Sequence, residues 1–295
     1  MSDGLMFVQL PHPGSEHQPT GLVMEWNRGP HARKFLKASG RYVDGGAVRT
    51  GAFTFWGEWE PQSRIIETYP RDGRGGPRWL HEPYWEVPRH RSLLQNTDPL
   101  VFGEYFRYSN CRQARNAKLR SLPPGSVILF GSRIGPEFVL DTAFVVGADT
   151  QDYIRGESQH VVCPDWVQAV VFGPLRTSQE RQTETLRLYR GRTHDEAPKC
   201  PFSFVPCRPY EVGRDAFPRP AIHLDRHWVE PNLAMGAKAT SATEAELQDL
   251  WEEVVRQVVA AGLCLGVELE PPPGSRNDGI RFLGPQAQSM GRESG

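Results

Sequence analysis

Apolar residues fall in short runs broken by Pro, Gly and charged residues, a pattern of strands and turns rather than of long helices. MFVQL near the start is closed by the loop PHPGSEHQP, and GLVMEWN reads as a second strand. HARKFLKASGRYV reads as a short helical turn or an irregular basic segment. GAFTFWGEWE alternates loosely, with Phe53 and Phe55 on one face, and predicts a strand entering a Trp-bearing loop. Between Pro61 and Pro99 the density of Pro, Gly and Arg disfavours long regular elements and predicts a large loop region anchored by aromatics, with RDGRGG as a turn or flexible tip.

The most regular stretches are SVILF (126–130) and FVLDTAFVV (138–146), two strands joined by GSRIGPE. VQAVVF is a further apolar run, TLRLY (185–189) alternates, and a strand is expected from Phe202 to Val205. One helix stands out. Thr243 followed by Glu246 forms a capping box, Leu247, Leu250, Trp251, Val254, Val255, Val258 and Val259 recur at helical spacing, and Gly262 ends the run. A strand is expected over 264–269, and the tail after it has the composition of a disordered end. The expected fold class is α+β, mainly β. Residues 1–175 hold a barrel with the aromatic loop region, 176–270 a second β-rich portion with a helix over 244–261, and 271–295 the tail.

With 295 residues the chain can bury a full core and hold one large or two small domains. A hydrophobic share of 38% and a charged share of 23% exclude a disordered chain. The net charge of −1 supplies no general attraction to nucleic acid or anionic membrane, so any anion site must be a local concentration of Arg. Five widely spaced cysteines argue against a disulfide framework and for reduced thiols. The start lacks a signal-peptide pattern and no apolar run reaches membrane-spanning length, so a soluble, cytoplasmic protein is expected.

Four of the eight tryptophans, Trp56, Trp59, Trp79 and Trp85, lie between residues 53 and 108, interleaved with Arg64, Arg71, Arg74, Arg78, Arg89 and Arg91. Such a cluster serves either as a stacking platform for bases or as a set of loop anchors with solubilising Arg. In FWGEWE, two Trp with Glu58 and Glu60 between and after them cannot all be buried on one strand face, so part of the segment must be exposed or paired. Asp141 sits in a strongly apolar strand, either as a carboxylate that accepts from a base edge or as a residue of the solvated face. Asn96, Asp98, Asn110 and Gln113 offer further polar contacts or form turns. The expected ligand residues are Trp56, Trp59, Arg64, Trp85, Asn110 and Asp141.

His12 and His17, and His223 and His227, are spaced as loose pairs, but Pro-bounded surroundings and the absence of C-x-x-C predict no metal centre, and no cofactor is expected. Nucleophile-elbow and phosphate-loop motifs are absent. Arg190 at a strand end, Ser203 in PFSF and Glu211 or Glu230 stand in an order similar to the Arg, Ser, Glu plan of ADP-ribosyltransferases, which would make Arg190, Ser203 and Glu230 catalytic. The alternative role for Arg190 is an ion pair with Asp195 or Glu196.

Leu122, Pro124, Gly125, Ser126, Val127, Ile128 and Phe130, followed by Asp141, Phe144, Val145 and Val146, resemble the turn and barrel strands of the PUA-like superfamily, which includes EVE and ASCH domains. The resemblance is firm over some thirty residues and loose over the first 175, and a minimal reader of that type lacks the remaining 120 or so. It implies a β-barrel that holds a nucleotide or modified base in an aromatic cage, in a bacterial modification or defence setting. The leading expectation is therefore a nucleic-acid or nucleotide-binding protein. Its rivals are an enzyme acting on a nucleotide or dinucleotide and a protein-interaction scaffold.

Overall fold

A computed structural model describes residues 4–19, 23–24, 31–70, 75–86, 95–177, 181–213 and 216–274. Arg71, Arg74, Arg89, Arg91 and the segment 275–295 lie outside the described residues, so most of the expected tip and most of the expected tail do too. The chain is mainly β, with strands gathered into two mixed sheets. Its strands are β1 (Met6–His12), β2 (Val23–Met24), β3 (Lys34–Asp44), β4 (Ala47–Gly57), β5 (Ser63–Thr68), β6 (Trp79–Pro83), β7 (Arg107–Tyr108), β8 (Val127–Ile134), β9 (Glu137–Ile154), β10 (Thr185–Gly191), β11 (Val205–Pro209), β12 (Lys238–Ser241) and β13 (Cys264–Leu269).

The first sheet has the order β12-β1-β8-β9-β10-β7, and the second β13-β11-β4-β3-β6-β5-β2. In the second sheet β13 also pairs with β3, so β3, β4, β11 and β13 close on one another as a ring. Gly40 makes that closure feasible, because a Cβ there would lie 1.9 Å from the Glu268 carbonyl oxygen. The β3–β4 hairpin turns at Gly45 and Gly46, both at positive φ, as a two-residue hairpin turn requires. Strands on both sides of the expected 175/176 boundary share sheets: β10 pairs with β9, β11 with β4 and β12 with β1.

Alternation along β8 explains why both faces of the first sheet are covered. Ile128 and Phe130 enter one hydrophobic cluster with Leu36, Phe53, Phe55, Trp59 and Tyr108, between the sheets. Val127 and Leu129 enter the other, beneath Leu247, Trp251, Val254 and Val258 of the helix Glu244–Ala260. That helix carries the expected capping box, with Thr243 and Glu246 each closing on the other. Among the described residues no helix is long and apolar enough to cross a membrane.

Two segments depart from the sequence reading, and a third takes a form that it left open. HARKFLKASGRYV is not helical or irregular: Lys34 to Val43 forms most of the long strand β3, paired with β4 over its whole length. The region 61–99 contains β5 and β6 rather than loop alone. VQAVVF lies in a helical stretch, with a π-helical turn at Gln168–Phe172.

Candidate functional site

Charged groups collect between the sheets where β1 ends, β3 begins and β4 gives way to a loop. β4 ends at Gly57, and in the loop that follows the Trp59 ring turns one way and the Glu58 and Glu60 carboxylates another. The Trp59 ring packs edge-on against Phe102 at 5.2 Å, while Glu58 and Glu60 both reach His31 Nδ1, at 3.1 and 3.0 Å. The Arg33 side chain is 1% exposed; its Nε donates to Asp141 Oδ2 at 2.7 Å and its Nη1 to Glu58 Oε2 at 2.9 Å. Arg219 lies 3.6 Å from the other Asp141 oxygen, donates to Ser132 Oγ at 3.0 Å, and covers the Trp56 ring at 4.9 Å.

Asp141 owes its position to a β-bulge. In the β8–β9 register Phe130 faces Thr142 and Gly131 faces Leu140, so Asp141 is the extra residue with no partner across the ladder. A Cβ at Gly131 would lie 2.1 Å from the Val139 carbonyl oxygen, so the bulge and the glycine belong together. The solvated-face alternative for Asp141 is thereby overturned, because the bulge interrupts the alternation on which it rested and both sheet faces are covered.

Asp98 ties a neighbouring loop to this centre. Its N–H donates to Glu58 Oε1 at 3.0 Å, and its carboxylate accepts from the backbone of Ser109, Asn110 and Cys111. Cys111 Sγ lies 2.6 Å from His12 Nε2, and the His12 ring stacks on Phe130. The next residue, Arg112, holds a left-handed backbone (φ 63°), a conformation that a non-glycine residue adopts at some strain.

Burying ions disfavours their charged forms by several kcal/mol each unless partners compensate. Burial works against a charge on His31, yet Glu58 and Glu60 raise it to about 10, leaving an imidazolium at neutral pH. Burial likewise opposes ionisation of Glu58, but His31 and Arg33 hold it down at about 2. Burial dominates elsewhere: it lowers His12 to about 3 with help from Arg33, lowers Lys34 to about 8 against Glu60, and raises Asp98 to about 6 against its backbone donors. Burial, with Asp98 beside it, also raises the Cys111 thiol, so Cys111 and His12 form a neutral pair. Among the described residues, several buried polar atoms here have no hydrogen-bond partner: Glu60 Oε2, His12 Nδ1 and Asn96 Nδ2. Buried polar atoms are rarely left so. Glu60 is therefore a fully buried carboxylate with one spare acceptor, next to a His31 side chain that is 35% exposed and opens the centre to solvent.

The expected ligand residues are only partly drawn together. Trp56 and Trp59, 3% and 0% exposed, donate their indole N–H groups to Phe217 and Gln62 carbonyls and present no open face for stacking. Trp85 is half-buried against the Gly274 segment. Arg64 is exposed and paired with Glu82, away from the buried charges. Asn110 is a turn residue whose side chain reaches Asn96. Gln113 is bound on both sides to the Arg187 backbone, a structural role. Of the set, Asp141 lies in the charged centre and Trp56 borders it through Arg219.

The enzymatic trio is dispersed. Arg190 pairs with Asp149 and Glu196 and lies over the Tyr105 ring, while Asp195 is taken by Arg41. The Ser203 hydroxyl is closed on the Val145 backbone. Glu230 is held by Gln9 of β1, three strand steps or roughly 14 Å from β10 across the sheet. His223 and His227 are exposed. The sequence reading passed over His31, Arg33, Cys111 and Arg219. The signals for them were a basic dipeptide heading an apolar run and two carboxylates sharing one face of WGEWE.

Comparison of the chain with protein-family models, with curated proteins and with solved structures finds no match.

Proposed function

We propose that the protein binds a nucleotide, free or as an exposed unit of a nucleic acid strand, at the mouth of the His31 and Glu60 centre. The observation that carries the reading is the spare Glu60 oxygen beside a solvent-open imidazolium. The charges of Arg33 and Arg219 are already shared with Glu58 and Asp141, and the unpartnered group beside the exposed His31 is an acceptor, Glu60 Oε2. That suits the amino or ring N–H edge of a base, or a ribose hydroxyl, and leaves phosphates outside. On this reading the chain is a divergent relative of the PUA-like arrangement, with its ring of four strands in place of a full barrel and a carboxylate centre in place of an aromatic cage. A modified base is the finer form of the proposal, because an added group changes the donors that Glu60 meets.

The test is a titration of free nucleotides and short single strands, followed by tryptophan fluorescence, on the wild type and on Glu60→Gln. A saturable response is expected, weakened roughly tenfold or more in the variant, as for loss of a hydrogen bond to a charged group. A flat response from every nucleotide and strand in the wild type overturns the reading.

A further inference from the structure

We infer that His31, Glu58 and Glu60 form a binding site for one divalent transition-metal cation. This goes beyond nucleotide binding and does not rest on it. One ligand atom from each side chain lies within 4.8 Å of the others, one imidazole nitrogen and two carboxylate oxygens. That donor set is of the kind that takes Zn²⁺, Mn²⁺ or Fe²⁺. Three protein ligands leave coordination positions open, the arrangement of sites that bind a further molecule rather than of closed structural sites.

Two further observations point the same way. The second Glu60 oxygen is fully buried and has no hydrogen-bond partner among the described residues, which leaves a lone pair for an ion to take up. The Glu58 carboxylate and the Glu60 backbone are also held by neighbours, much as metal ligands are held by an outer shell. Arg33 fixes Glu58 through Oε2, the Asp98 N–H fixes it through Oε1, and Thr97 Oγ1 accepts from the Glu60 backbone N–H. The exposed edge of His31 supplies a way in. Binding replaces the proton on His31 Nδ1 with the cation, and that proton leaves to solvent. The histidine pairs considered from spacing failed to reveal the site because His31 and Glu60 are 29 residues apart.

Protein stripped with a chelator and dialysed against Zn²⁺ or Mn²⁺ alone should retain about one ion per chain by elemental analysis and melt at a higher temperature than the stripped form. His31→Asn and Glu60→Gln should each bind the ion at least roughly tenfold more weakly. His227→Asn, which alters an exposed histidine elsewhere, should bind as the wild type does. Melting curves of the stripped variants establish that they fold. If one of the two ligand variants fails to fold, the wild-type stoichiometry and the other variant decide. A wild type that retains no ion, or ligand variants that retain it undiminished, overturns the inference.

Discussion

Asp141 is the unpaired residue of the β8–β9 bulge, and its carboxylate accepts from Arg33 Nε at 2.7 Å, joining the two sheets through a buried ion pair. A charge in that position is costly to strand, because Arg33 is buried and Arg219 also faces the same carboxylate.

Asp141→Ala should therefore destabilise the fold by about 3–5 kcal/mol, the usual consequence of removing one member of a buried pair. Arg33→Met combined with Asp141→Leu should recover part of the loss, since the under-compensated buried guanidinium is then removed with the carboxylate while His31 still pairs with Glu58. Urea denaturation of the single and double variants measures both. Equal losses in Asp141→Ala and the double variant would mean that the pairing itself is not what matters.

Trp59→Ala and Trp251→Ala should each lose about 3–5 kcal/mol, as buried aromatics do. Both rings are buried, and each indole donates to a carbonyl, Gln62 for Trp59 and Phe202 for Trp251. This replaces the expectation that Trp59 is a ligand-facing ring with a lesser structural role. Thermal melts of the two variants check it, and a Trp59→Ala protein as stable as the wild type would return that ring to the ligand site.

Acid should weaken the fold through two histidines outside the charged centre, His81 buried and His17 partly buried. Burial lowers His81 to about 3 and His17 to about 4, with Lys34 acting in the same direction on both and His17 also on His81. A histidine whose folded pKa lies below its unfolded value contributes stability above the unfolded value of about 6.5, and that contribution is lost as pH falls towards the folded value. Stability should thus fall between pH 7 and pH 4, and His81→Gln should show a shallower fall. Urea melts at several pH values read this directly, and identical slopes for variant and wild type would remove His81 from the account.

The capped helix and the strands β8 and β9 were legible in the sequence because their signals are local. Thr243 and Glu246 are three residues apart, and alternation in SVILF needs no knowledge of a partner. Strand β3 was not legible, since Lys34 on a buried position breaks the apolar pattern. Its charge is accommodated by Glu60 and by the Pro61 carbonyl, which accepts from Nζ at 3.0 Å. The charged centre was hidden for a related reason. Arg33 and Asp141 are 108 residues apart, and the bulge that aims Asp141 inward is a property of pairing register. Of its members, Glu58, Glu60 and Asp141 drew notice as charges in apolar company, but nothing in the chain announces which cations meet them.

Localising a bound nucleotide by NMR tests most directly whether the charged centre is the functional site. In protein with labelled histidine and tryptophan side chains, the His31 imidazole and the Trp56 indole, which Arg219 covers at the edge of the centre, should shift on nucleotide addition. The Trp251 indole, packed beneath the helix against Phe202, should not. Shifts confined to other regions, such as His160 in the pocket of about 280 Å³ along Gln151 to Val161, with His31 and Trp56 unmoved, would contradict the account.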